Sequence, residues 1–181
     1  MWTLIDGFKH LSPEEFDILI DAPALITILV GGADGNLDQE ERDWSERLLR
    51  SRTYNNPKEL NEYYRIVSEL FWAKVNGHLA ELPRDPEARN EIIAERLKAL
   101  NPIMAKLDIA IGADLYHGFI GLAEETAKAS GGFLRIGAIS PEEARWIHLP
   151  MLTPIITPKK NAKKQEDALE KDDWDESDKD A

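Results

Sequence analysis

The stretch from Ala22 to Val30 constrains this chain more than any other. Leu25, Ile26, Ile28, Leu29 and Val30 leave almost no polar side, and a helix that is apolar on most sides belongs in the middle of a core. The stretch is also far shorter than the ~20 residues that cross a bilayer. The first residues carry Asp6 where a signal peptide would have a basic run. The expectation is therefore a buried central helix in a soluble, cytoplasmic, all-α protein, with neither a membrane span nor a leader.

The flanking segments supply the partners such a helix needs. Ser12-Pro13-Glu14-Glu15 has a hydroxyl to cap, a proline where its missing N–H costs nothing, and acids in the positive first turn. Phe16, Leu19 and Ile20 follow as one apolar face. Pro23 is expected to break a continuing helix, so Asp21-Ala22-Pro23 would end a short helix and open the apolar one. Gly31-Gly32-Ala33-Asp34-Gly35-Asn36 then stops it, and Asp38 caps a helix with Trp44, Leu48 and Leu49 as its buried stripe.

Helical spacing recurs after Asn56-Pro57 in Leu60, Tyr63, Tyr64, Val67, Leu70 and Phe71, and after Glu87 in Ile92, Ile93 and Leu97. Asn101-Pro102 kinks that helix or begins the next. Asp114 to Ala129 forms another, with Leu115, Phe119, Leu122 and Ala123 inside, and nothing shows the alternation of a sheet. The expected architecture is a compact bundle of about seven helices. Residues 1–11 are a lead-in, 12–154 the helical domain and 155–181 a charged tail. From Glu166 to Asp180 acids and lysines dominate, too little apolar area to offset the entropy of ordering, so an acidic disordered tail is expected.

Composition narrows the function classes. With 181 residues, 43% of them hydrophobic, one domain can bury a core without staples. The absence of cysteine excludes a disulfide scaffold, thiolate metal sites and cysteine nucleophiles. A net charge of -12 disfavours nucleic acid and anionic lipid, leaving cations and basic protein surfaces as natural counter-ligands. No nucleophile elbow, phosphate-cradling loop or dinucleotide fingerprint appears, and carboxylate pairs in so acidic a chain nominate no acid and base. An enzyme is not expected. His10, His78, His117 and His148 lack the helical four-residue spacing of a zinc pair. Trp44, Trp72 and Trp146 read as core packing.

Two features carry chemistry. Asp34, Asn36, Asp38 and Glu41 gather side-chain oxygens of the kind hard divalent cations take. An EF-hand is rejected, because Gln39 and Ser45 stand at its sixth and twelfth places counted from Asp34. Each of these residues also has a plain structural use: Asp34 in the turn, Asp38 as cap and Glu41 on the helix dipole. The second feature is Trp174, an aromatic residue inside the acidic run. It reads either as a short docking element for a basic, partly apolar partner or as incidental to a solubilising tail.

Gly35 to Trp44 also has an echo in Gly137 to Trp146: glycine, aliphatic, cap, two acids and tryptophan in one order, each after a double glycine. A duplicated helix-loop-helix and generic helix-start chemistry are the two explanations.

Ala33-Asp34-Gly35, then Leu37-Asp38 and Glu41 after an apolar helix, resembles the helix-connecting signature of the tellurite-resistance TerB-like proteins: Ala-Asp-Gly, two residues, a cap, then Glu. The resemblance covers most of residues 12–150 in helical layout and Ala33 to Glu41 in motif. In the later copy Leu134 or Arg135 stands where the aspartate should be. The resemblance implies an all-helical accessory module of a bacterial stress-response system, with acidic residues binding a divalent metal and with protein partners, envelope-associated ones included. Asp34 and Glu41 match residue for residue, Asp38 matches the cap position, and Asn36 lies beside them. A metal-independent adaptor acting through its acidic tail is the alternative.

Overall fold

The computed structural model describes residues 5–32, 39–53, 56–130 and 141–157. Among them the protein is all-α: a short 3-10 turn at Asp6–Phe8, then α1 (Pro13–Gly31), α2 (Gln39–Ser51), α3 (Lys58–Glu81), α4 (Pro86–Lys98), α5 (Leu100–Met104), α6 (Ile109–Ser130) and α7 (Pro141–Trp146). The described residues contain no strand, and no helix among them is long and apolar enough to cross a membrane. The tail beyond Thr157 lies outside the described residues.

α1 is the axis of the bundle, packing most extensively against α3 and α6. Its entry is the expected capping box: the Glu15 amide donates to the Ser12 hydroxyl at 3.2 Å, and the Ser12 amide to the Glu15 carboxylate at 3.0 Å. From Ala22 to Gly31 every residue is buried, as the apolar run requires.

The break expected at Pro23 does not occur; α1 runs through it. Pro23 has no N–H for the carbonyl of Leu19, one turn back, and an unpaired buried carbonyl is what ordinarily ends a helix there. Here the Tyr63 hydroxyl, from the second turn of α3, donates to that carbonyl at 2.8 Å. Tyr63 is fully buried, and desolvation holds its phenol well above the usual range, so the hydroxyl remains a donor. The equally buried Thr27 hydroxyl donates to the Pro23 carbonyl at 2.9 Å.

Asn101-Pro102 resolves as a start: α5 is a separate short helix after α4, which Asp85 caps by accepting from the Ala88 amide at 2.9 Å. α6 opens earlier than expected, at Ile109, with the Asp108 carboxylate accepting from the Ala110 amide at 2.8 Å. Its expected interior residues Leu115, Phe119, Leu122 and Ala123 are all buried.

Trp44 corrects the expectation for α2. It is 41% exposed, with the Arg47 guanidinium 5.5 Å from its ring, while Ser45 and Leu49 point inward. One residue is about 100° of helix, so a stripe centred on Ser45 and Leu49 moves Trp44 outward. The Ser45 hydroxyl pairs with that of Thr126 in α6 at 3.1 Å. Trp72 lies at the edge of the core and donates to Glu46 at 2.6 Å, and Trp146 is buried as expected.

Candidate functional site

Asp34, Asn36 and Asp38 lie outside the described residues, as does Trp174. Glu41 falls within α2, its side chain outside the description. What is placed is the root of the acidic turn. α1 ends at Gly31, and the buried Arg89 of α4 donates its guanidinium to the carbonyl of Gly32. A helix C-terminus carries a partial negative charge, so a cation is favoured here, and Arg89 already supplies one.

A second polar group ties α1 to α3 and α4. The Asp21 carboxylate lies 2.5 Å from Lys74 Nζ and 3.5 Å from His78 Nε2, and Arg96 Nη1 approaches His78 Nδ1 at 3.3 Å. A guanidinium can only donate, so Nδ1 is the acceptor in that contact. Desolvation raises the Asp21 carboxyl, but His78 and Lys74 outweigh it and hold the carboxyl below its ordinary value. A third tether joins the α2–α3 connection to α6: Arg52 donates to the Gly118 carbonyl at 2.5 Å and to the Tyr64 hydroxyl at 3.4 Å. Gly118 is needed for that approach, since a Cβ there would meet the Tyr64 hydroxyl at 2.3 Å. All three groups act between helices.

An open apolar surface lies where the chain leaves α7 and crosses α5. After α7 the chain turns at Leu149, which is fully buried and has φ 42°, the left-handed region that costs a leucine roughly 1–3 kcal/mol. The following segment is pinned across α5 by Asn101, whose amide donates to the Met151 carbonyl at 2.9 Å while its carbonyl accepts from the Thr153 amide at 2.8 Å. Gly112 then lets Ile155 lie on α6: a Cβ at that glycine would stand 3.2 Å from the Met104 carbonyl and 3.3 Å from Ile155 Cδ1. Between this segment and α5 runs a cleft of about 410 Å³, walled by Met104, Leu107, Ile109, Ile155 and Ile156 among others. Ile109 is 53% exposed and Ile156 80%.

No family model, curated protein or solved structure matches this chain. The cleft was not among the sites read from the sequence. Its one early signal is Ile155-Ile156 following Pro154, two large aliphatic residues at the edge of a segment otherwise written in charges.

Proposed function

We propose that this protein is a helical accessory module that works by engaging other proteins, the role that the TerB-like resemblance implies for a bacterial stress-response system. The observation that carries the reading is the cleft. Ile109 and Ile156 stay exposed beside it, and its wall is shaped by a leucine in a costly conformation and an asparagine bonded twice to the backbone. Apolar surface kept open in this way is suited to another molecule. The polar groups described above serve helix-to-helix contacts, which fits a scaffold.

The test replaces Ile109→Asp and Ile156→Asp together. Both side chains are exposed, so stability should move by about 0.5 kcal/mol or less each, while partner recovery from cell extract should fall sharply. Undiminished recovery removes the cleft. If instead deletion of residues 159–181 abolishes recovery, the tail around Trp174 is the contact.

The turn of Asp34, Asn36, Asp38 and Glu41 is proposed as a weak divalent-cation site. Its support is the sequence, in which Asp34, Asn36 and Asp38 follow the C-terminal, partly negative end of α1 at Gly31. Arg89 competes there, and weak affinity is what that competition permits. Millimolar Ca²⁺, Mg²⁺, Mn²⁺ or Zn²⁺ should shift the NMR resonances of residues 33–41 in the wild type and not in Asp34→Ala; unmoved wild-type resonances sink the metal reading.

A further inference from the structure

We propose that His78 is a proton-operated latch: uncharged, its ring holds the end of α4 through Arg96, and protonated, it releases Arg96 and transfers its hold to Asp21 of α1. α4 packs along α1 and α5 but has no extensive face on α3, although a short connection, residues 82–85, joins the two. Among the described residues, the polar groups that span α3 and α4 meet at Arg96, whose guanidinium lies 3.3 Å from His78 Nδ1 and 4.0 Å from the Glu81 carboxylate. The end of α4 held in this way runs directly into α5 and Asn101, the residue that pins the cleft wall.

The two sides of the ring respond to a proton in opposite directions. The contact with Arg96 requires a bare Nδ1, because a guanidinium only donates. A proton on Nδ1 removes the acceptor and sets two positive groups face to face. On the other side Nε2 is buried, makes no hydrogen bond and lies 3.5 Å from Asp21 Oδ2. That pair is slack while the ring is neutral and becomes an ion pair when it is charged, at a side chain only 11% exposed. The charged groups gathered on the ring are Asp21 from α1, Lys74 and Glu81 from α3 and Arg96 from α4. Lys74 and Arg96 oppose the added charge. Asp21 favours it, as does the partly negative end of α3, in whose last turn His78 stands. Glu81 is placed to take Arg96 when the ring lets go. Gly77 gives this turn freedom: a Cβ there would meet nothing within 4 Å, so no packing demands a glycine, and its presence loosens the helix just before His78. Imidazole ordinarily changes charge between about pH 5 and 8, which makes mild acid the natural trigger.

In the full chain, nitrogen-15 ring shifts report which His78 nitrogens carry hydrogen, and amide exchange reports the end of α4. Between about pH 8 and about pH 5, Nδ1 should gain its proton while protection of the Leu97 and Lys98 amides, corrected for the intrinsic rate, falls several-fold. Protection of Ile26 in α1 should not fall with it. In His78→Gln, which cannot take the proton, protection at Leu97 and Lys98 should not respond to pH. At about pH 6, the protonated fraction of His78 should be smaller in Asp21→Asn and larger in Arg96→Met than in the wild type, opposite movements that require both partners to act on one ring. An Nδ1 that stays bare throughout, a proton gained with α4 undisturbed, a loss of protection that persists in His78→Gln, or fractions that move together in the two variants each overturns the latch.

Discussion

Trp44 in α2 and Trp146 in α7 stand at matched places after matched helix starts, yet one is 41% exposed and the other 7%. The match extends to structure: α2 begins at Gln39 and α7 at Pro141, the positions that the alignment of Gly35 with Gly137 pairs. Each tryptophan even carries an arginine over its ring, Arg47 at 5.5 Å and Arg145 at 4.5 Å. The difference lies in what each helix turns inward. α2 commits Ser45 to Thr126 and buries Leu49, which rotates Trp44 out, whereas Trp146 belongs to the hydrophobic core and joins a wall with Ala94, Asn101, Pro150 and Met151. Helix-start chemistry is local and can be repeated; burial is decided by neighbours far along the chain. Trp146→Ala should therefore cost about 3–5 kcal/mol in urea unfolding, and Trp44→Ala less than about 1 kcal/mol. Equal costs would erase the distinction.

The helices that precede these starts, α1 and α6, differ as well. α6 is uninterrupted, while α1 is pierced by Pro23 and mended by α3 through the Tyr63 hydroxyl. Removing that hydroxyl with Tyr63→Phe should cost about 1–3 kcal/mol, the cost of a buried acceptor left unpaired. In a Pro23→Ala background the new amide can reach the Leu19 carbonyl, and the same change should cost about 1 kcal/mol or less. A double-mutant cycle in urea that finds no coupling would break the account of how α1 continues.

This pair also shows what could be read from the chain. Helical faces were legible because burial follows the helical period: Leu60, Tyr63, Tyr64, Val67 and Phe71 all lie inside. The continuity of α1 was not, because the group that rescues the Leu19 carbonyl comes from a different helix and nothing near Pro23 announces it. The stripe of α2 was misplaced by one residue, since Trp44 outweighs Ser45 in any hydrophobic count and only the hydroxyl of Thr126 makes a buried serine worthwhile. The cleft depends on Leu149 adopting a positive φ that leucine does not advertise, and on Asn101, a residue first read as punctuation before a proline. Of the residues chosen for cation binding, Asp34, Asn36 and Asp38 sit in a segment the described structure only borders, at Gly32 and Gln39, and Glu41 falls in the first turn of α2.

A last contrast between α1 and α6 concerns the polar tether each carries. α1 offers the Asp21 carboxylate to Lys74 and His78; α6 offers the Gly118 carbonyl to Arg52. Only the first contains an acceptor that titrates under mild acid. Because the folded Asp21 carboxyl lies below its ordinary value, its contribution is fully present above about pH 4, near the unfolded aspartate value, and is lost as pH falls through the depressed folded value. Asp21→Asn should therefore lower the urea midpoint at pH 7, and the gap to the wild type should narrow progressively as pH falls below about 4. Arg52→Met should lower the midpoint by the same amount across that range, since a backbone carbonyl does not titrate and the Tyr64 phenol is held above its ordinary value, chiefly by burial. Parallel curves for Asp21→Asn and wild type would mean that the carboxylate's charge contributes nothing to holding α1 against α3, leaving shape and the Tyr63 bond to do so.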